Sequence, residues 1–380
     1  MNVLIVCNNA YMKGNGMCTA IRTLKNQLRG KGIEARVMAS ANPEEGGEQP
    51  DYVLGHFKFP FFESLIYASG FRYAKVDKKV VEEALEWADV LHLEEGFPVE
   101  AKIVKMAEEA GIPCVGTYHL FSENILANLG FKNEKLINGI ITWFWRKTVY
   151  DHCKTVQCPT DLVKEYLTRA GFKSELRVIS NGISLADEPV EVEAPLADPY
   201  TIACIGRYAN EKDQKTLLEA VSRSKYASKI RLVFAGKGPK EKKLRRIASK
   251  LYKEGVLQHE PQFGFYGPEK LKSIAREAYL VVHCAYVEIE GLSCIEAIRE
   301  GAVPIIASGK MTATSVFALD ERSTFPERDS KTLSEKIDWW IEHPQERLEM
   351  GRKYAEYARK FNISDSMDAI IRMYENAIAE

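Results

Sequence analysis

The sequence predicts an α/β protein of two tandem domains, each a parallel sheet with helices between its strands. Three observations carry the prediction. The chain has 380 residues, more than one hydrophobic core usually supports. Short β-branched runs alternate with longer helical patterns along it. The alternation pauses at the acidic, proline-marked stretch "SLADEPVEVEAPLADP", 184–199, and then restarts.

In the first half, "NVLIVC", "EARVMAS", "ADVLHL", "PCVGTYH" and "TVQCP" read as buried parallel strands. Helical patterns such as 17–30 and 98–110 stand between them. After the linker, "YTIACIG", "IRLVFAG", "YLVVHC" and "VPIIAS" repeat the alternation. Alternating βα units make parallel sheets, so two Rossmann-like domains are the economical reading. The halves rhyme, because each opens with a strand running into a glycine-bearing loop, "LIVCNNAYMKGNG" and "IACIGRYANEKD". Ligands of open α/β sheets bind at the carboxyl ends of strands, which places a ligand between two such domains. The last stretch, "NISDSMDAIIRMYENAIAE", reads as an amphipathic helix capped by Asn362 or Ser364.

Composition narrows the function classes. An apolar share of 46% and a charged share of 28% are ordinary for a globular protein. A net charge of -1 argues against a polyanion binder, so no nucleic-acid partner is expected. The 8 cysteines are scattered, without Cys-x-x-Cys or paired histidines. That argues against a disulfide framework or zinc site and for reduced thiols in a cytosol. "MNVLIVCNNAY" reads as a first strand rather than a signal peptide, and no run approaches the ~20 apolar residues that span a bilayer.

Four stretches carry chemistry. In "EIEGLSCIEAIREG", Leu292, Ile295 and Ile298 have helical spacing, so a helix starts near Gly291–Ser293, directly after a strand. A helix start is an anion site, and Gly291 permits close approach by a phosphate. Glu288 could then accept from hydroxyls attached to that phosphate, and Glu296 from a second diol. The bland alternative makes Glu288 and Glu290 solvated loop charges and Glu296 a surface residue. In "GRYANEKD", Arg207 and Lys212 follow a strand end, where two cations and a helix start suit a diphosphate, or else form a solvated turn. "YMKGNGMCTAIRTL" opens a helix through Gly14, Asn15 and Gly16 but lacks the dinucleotide fingerprint, and it could be only a flexible connection. His119 ends the apolar strand of "GTYHLFSEN" and is either a structural histidine or a cleft residue.

Together these stretches resemble retaining GT-B glycosyltransferases of family 4. "EIEGLSCIEAIREGAVPII" looks like the family's E-x7-E signature and the segment after it, and "IGRYANEKDQKTLLEA" like its G-R-x-x-x-E-K segment. "VISNGIS" resembles the hinge motif and "AGKGP" the G-x-G-P turn. The resemblance implies two Rossmann-like domains facing across a cleft: 1–183, on the acceptor side, with the C-terminal helix (about 363–380) crossing back to it, and 184–362, holding the nucleotide sugar. It implies Arg207 and Lys212 on the donor diphosphate, Glu296 on the ribose and Glu288 on the transferred sugar. Gly291, Leu292 and Ser293 would offer backbone amides, Gly16 would face the diphosphate, and His119 would lie beside the sugar ring. Three departures from the pattern stand out: Glu290 replaces an aromatic, "HCAY" replaces proline–serine, and Ser180 replaces the hinge proline.

The activity implied is transfer of a hexose from a nucleoside-diphosphate sugar, UDP-sugar over GDP-sugar, to an acceptor hydroxyl on a lipid or glycan. No metal and no cofactor are implied, since the cations would do a metal's work. An epimerase of the same fold and a non-catalytic nucleotide-sugar module are the rival readings. Two stretches bear on the acceptor. "FKFPFFESLIYASGFRY", 57–73, interleaves seven aromatics with Lys58 and Arg72, and "KLINGIITWFWRKTVY", 135–150, has a broad apolar arc. Both either pack beneath the first domain or form an aromatic–basic surface for a bilayer or lipid-linked acceptor. The protein is accordingly expected to be cytoplasmic, and peripheral on the inner face of the plasma membrane if those stretches meet lipid. The basic run 237–253 reads as a solvated helix face, with contact to anionic lipid as the weaker alternative.

Overall fold

A computed structural model describes residues 1–57, 72–129, 135–185, 190–193 and 198–380. The chain divides into two compact units. One holds Met1–Leu126, Lys132–Asn181 and Ser364–Glu380, and the other Ala127–Phe131 and Gly182–Ile363.

The first unit is built on strands β1 (Asn2–Val6), β2 (Glu34–Ser40), β3 (Tyr52–His56), β4 (Ala74–Lys75), β5 (Val90–Leu93), β6 (Cys114–Thr117), β7 (Thr155–Cys158) and β8 (Glu175–Val178). Their order in the sheet is β4-β3-β2-β1-β5-β6-β7-β8, parallel except for the β3–β4 pair. β1 pairs β2 on one side (Leu4 with Arg36) and β5 on the other (Leu4 with Leu91), so Val3 to Val6 are wholly buried. That is why such strands read as unbroken apolar runs. Helices α1 (Gly16–Gly30), α2 (Lys78–Trp87), α3 (Pro98–Ala110), α4 (Ser122–Leu129), α5 (Lys135–Thr148) and α6 (Asp161–Arg169) connect them. Asn15 caps α1, its side chain accepting from Met17 N at 3.0 Å. α1 turns Cys18, Ile21, Leu24 and Leu28 inward.

The second unit carries β9 (Tyr200–Ile205), β10 (Ile230–Ala235), β11 (Gln262–Gly264), β12 (Leu280–His283), β13 (Pro304–Ser308) and β14 (Thr324–Pro326) in the order β11-β10-β9-β12-β13-β14. Helices α7 (Gln214–Val221), α8 (Glu241–Lys253), α9 (Pro268–Glu277), α10 (Leu292–Arg299), α11 (Ser330–Glu342) and α12 (Pro344–Ala358) belong to it. Its core gathers Leu217, Phe234, Leu280, Ile295, Ile305 and Trp340. Within the acidic stretch Val192 packs against Gly301, where an added Cβ would come within 2.6 Å of it.

The last helix, α13 (Ile363–Ala379), lies almost wholly in the first unit, burying Met367, Ile370, Met373 and Tyr374 there. Lys31 Nζ holds Asp368 at 2.6 Å. All eight cysteines are buried and unpaired.

In both sheets the chain moves outward one way and then reverses, at β1/β5 and at β9/β12. Such a reversal opens a crevice at the strands' carboxyl ends.

Helix α5 reverses the usual amphipathic arrangement. Asn138 and Thr142 face inward with Trp145, while Leu136 (77% exposed), Ile140 (56%) and Trp143 (57%) face solvent with Ile137 and Phe144. For 135–150, these five residues therefore do not pack beneath the domain. Of the aromatic stretch 57–73, residues 58–71 lie outside the described residues. Tyr73 stacks edge-on against Phe97, with ring centroids 5.5 Å apart. No helix among the described residues is long and apolar enough to cross a membrane.

Candidate active site

The crevice of the second unit collects most of the residues singled out from sequence. β9 delivers the segment "GRYANEKD", held down by Tyr208, whose buried hydroxyl donates to Phe234 O at 2.8 Å. Gly238 lets this turn close, because a Cβ there would strike the Tyr208 backbone. Gln214 Nε2 donates to the Arg207 carbonyl at 2.8 Å. The Arg207 Nε is buried with no hydrogen-bond partner among the described residues, so a charge-bearing donor stands ready for an anion.

β12 delivers Glu288. Its backbone is tied on both sides, N–H to Met311 O at 2.8 Å and carbonyl to Ala313 N at 3.0 Å. Its carboxylate accepts from Lys212 Nζ and, at 3.2 Å, from His283 Nε2. Burial alone would raise the Glu288 carboxyl, but Lys212 and His283 overcome it and hold the group down at about 2. Glu288 is therefore an anion at any working pH, and the solvated-charge alternative fails for it. It fails for Glu290 too, which is buried.

Gly291 begins α10 at φ 83, a conformation that favours glycine. A Cβ there would run into Thr314 Oγ1 and lie 2.8 Å from its Cγ2. The helix start carries no side-chain cap and no acid in its first turn, so its dipole is left for an external anion. Ser293 Oγ donates to Ile205 O at 3.2 Å, stitching α10 to the end of β9. Leu292 is half-buried beside it. Glu296, one turn on, is solvent-accessible yet ringed by protein, whose burial raises its carboxyl against the pull of Arg299 and Lys272. The structure thus joins Lys212 to Glu288 and the α10 start to β9, while Glu296 makes no hydrogen bond within that group.

Gly16 and His119 belong to the first unit. Gly16 opens α1 with nothing within 4 Å of a Cβ, and it is Gly14, at φ 78, whose conformation calls for glycine. His119 Nε2 lies 2.6 Å from Glu94 Oε2, in a shallow recess lined also by Thr117, Gln157 and Asn181. Beside it, Glu95 Oε2 accepts from Asn8 N at 2.6 Å and Nδ2 at 3.0 Å, and the same Nδ2 reaches Glu100 Oε1 at 3.0 Å. Sequence reasoning passed over Glu94, Glu95, His283 and Thr314. The first two carried the signal used for His119, polar residues directly after a buried strand. His283 ends one itself.

Family models account for nearly the whole chain. "Glycosyltransferase Family 4" matches residues 14–187, and "Glycosyl transferases group 1" matches 188–361. The chain belongs to the retaining GT-B glycosyltransferases of family 4. This glycosyltransferase is 23% identical over 374 residues to alpha-monoglucosyldiacylglycerol synthase of Streptococcus pneumoniae (strain ATCC BAA-255 / R6), covering 89% of this chain and 82% of that protein. The crystal structure of Anabaena Alr3699/HepE in complex with UDP and glucose has a TM-score of 0.74 at 16% identity, covering 99% of this chain and 100% of that one. The pneumococcal O-GlcNAc transferase GtfA in complex with UDP and GlcNAc has a TM-score of 0.71 at 12% identity, covering 100% and 99%. The catalytic domain of cholesterol-alpha-glucosyltransferase from Helicobacter pylori is 45% identical over 43% of this chain and 99% of that one, with a TM-score of 0.41. The two-domain α/β expectation is met.

Proposed function

We propose that this glycosyltransferase moves a hexose from a UDP-sugar to a lipid hydroxyl at a membrane surface, with retention and without a metal. The single observation that carries the lipid acceptor is α5, whose apolar residues face outward and whose last turn bears Arg146 and Lys147. An outward stripe of Leu136, Ile140, Trp143 and Phe144 with cations at its end suits the boundary of an anionic bilayer. The name of the pneumococcal relative, alpha-monoglucosyldiacylglycerol synthase, points the same way. UDP is favoured because two solved neighbours of like fold were captured with it.

Residues 184–362 hold the donor and 1–183 meet the acceptor. The Arg207 Nε–H, Lys212 and the uncapped α10 amides at Gly291, Leu292 and Ser293 bind the diphosphate, with Gly16 as a further donor-binding residue. Glu296 takes the ribose hydroxyls. Glu288, kept ionised by Lys212, accepts from a hydroxyl of the sugar, and His119 lies beside that ring. As the anomeric C–O bond breaks, its electron pair goes to the leaving phosphate, where those cations stabilise it. The acceptor oxygen adds to the anomeric carbon from the same face, and its proton passes to the departing phosphate.

The test is UDP release from UDP-hexoses, with and without vesicles of diacylglycerol in anionic phospholipid. Release that rises on those vesicles, and vesicle binding abolished by Ile140→Ser/Trp143→Ser, is the expected result. Equal turnover on a soluble sugar acceptor, with no vesicle binding, overturns the lipid reading.

A further inference from the structure

At the carboxyl ends of β5, β6 and β7, a hydrogen-bond chain can be assigned its direction donor by donor. Gln157 Nε2 donates to the Ile179 carbonyl at 2.9 Å, which orients the amide. Its Oε1 accepts the Thr117 hydroxyl at 2.8 Å. Thr117 has then used its one proton, so across the 2.7 Å between Thr117 Oγ1 and His92 Nε2 the imidazole donates. His92 is wholly buried, which favours the neutral ring. Its proton is on Nε2, and Nδ1 accepts from the Tyr374 hydroxyl at 2.6 Å. Every donor is matched.

The consequence falls on Glu94. His92 Nε2 is 3.8 Å from Glu94 Oε1, but its proton is committed to Thr117. Glu94 Oε1 is buried and has no hydrogen-bond partner among the described residues. The carboxylate, itself 1% exposed, therefore has one hydrogen-bond donor, His119 Nε2 at 2.6 Å. A carboxylate only accepts, so that nitrogen bears the hydrogen. Among the described residues His119 Nδ1 has no partner, and in the neutral ring it holds a lone pair.

We propose that Glu94 is a positioning residue that fixes His119 as the Nε2–H tautomer, so that Nδ1 meets the transferred sugar as an acceptor of a hydroxyl proton. This rests on the reading that His119 lies beside that sugar. It adds a specificity rule: a donor whose sugar lacks that hydroxyl leaves a lone pair unmatched and is turned over poorly.

Glu94→Gln tests it. An amide turned NH₂-first toward His119 forces the opposite tautomer, and turned the other way it points its NH₂ at His92 Nε2–H. Loss of the tautomer should cut kcat/KM on the order of 10²-fold or more, with no further loss when the change is made in His119→Ala. Nitrogen-15 spectra of the neutral His119 ring should show a bare Nδ1 in the wild type and a protonated one in the variant. Full turnover by Glu94→Gln while His119→Ala is impaired overturns this proposal alone, as does an equal Glu94→Gln loss in both backgrounds. Full turnover by His119→Ala removes the placement of His119 and this proposal with it. If Glu94→Gln does not fold, the wild-type spectrum decides, and a neutral ring protonated on Nδ1 refutes the assignment.

Discussion

Gly291→Ala isolates what the start of α10 requires. Residue 291 sits at φ 83, and a non-glycine residue in the left-handed region costs about 1–2 kcal/mol. The added methyl also enters space held by Thr314, 2.8 Å from Cγ2, and overpacking of this kind costs about 1–3 kcal/mol. The sum is about 2–5 kcal/mol on the unit Gly182–Ile363. For a unit of that size each kcal/mol lowers Tm by about 2–4 °C, so a fall of roughly 4–20 °C is expected.

The two contributions can be separated. Thr314→Ala removes both atoms that the new methyl strikes, and among the described residues Thr314 Oγ1 has no hydrogen-bond partner whose loss would confuse the result. The double variant should regain the packing share and keep the backbone share. Calorimetry on the full chain, with and without UDP, reads both terms, and UDP affinity should fall as the helix start shifts from β9. A Gly291→Ala protein that melts like the wild type refutes the geometry. So does a loss that Thr314→Ala leaves untouched.

Two further predictions concern buried carboxyls, with opposite signs. Glu288 is held at about 2 in the folded chain against an ordinary 4.5, so its stabilisation is present above pH 4.5 and is lost as pH falls toward 2. The shift corresponds to about 3 kcal/mol. Urea unfolding of the second unit should weaken by about that amount between pH 5 and 2, and Glu288→Gln should flatten the dependence. Glu100 is pushed up by its burial and by Glu95, so the first unit should lose stability as pH rises above the ordinary carboxyl range. Glu100→Gln, an uncharged mimic of the protonated acid, should narrow the gap between thermal melts at pH 5 and pH 8.

What sequence could show depends on whether the determinant is local. β1 and β9 are legible because a strand buried on both faces is apolar throughout. β8, "ELRV", is an edge strand with two charged residues, and nothing in its pattern separates it from a loop. The α10 start was legible from Gly291 and the spacing that follows, and Glu288 from its place before it. The partners that set Glu288's charge and Gly291's crowding, His283 and Thr314, arrive from other segments and leave no local trace. α5 shows the limit most plainly. Its periodicity announced a wide apolar arc but not the side the unit would bury, and the structure buries Asn138 and Thr142 instead.

The two crevices share a topology and differ in charge. At β9/β12 the reversal exposes a helix start, Arg207 and Lys212, an arrangement that lowers the energy of an anion. At β1/β5 the strand end instead buries three carboxylates within seven residues, Glu94, Glu95 and Glu100. Three uncompensated anions there would be prohibitive, and two remedies meet the cost. Glu94 is held below its ordinary range, against the desolvation of its site, by the imidazoles of His92 and His119. Glu95 and Glu100 are both pushed up by burial and divide the Asn8 amide between them. Asn8 in turn fixes its neighbourhood: its carbonyl accepts from Ser40 N at 3.1 Å and its Oδ1 from Ala74 N at 3.0 Å. The loop that carries Gly14 and Gly16 springs from this residue. Burial that favours the protonated forms of Glu95 and Glu100 is thus what allows the glycine loop to be anchored on an acidic floor.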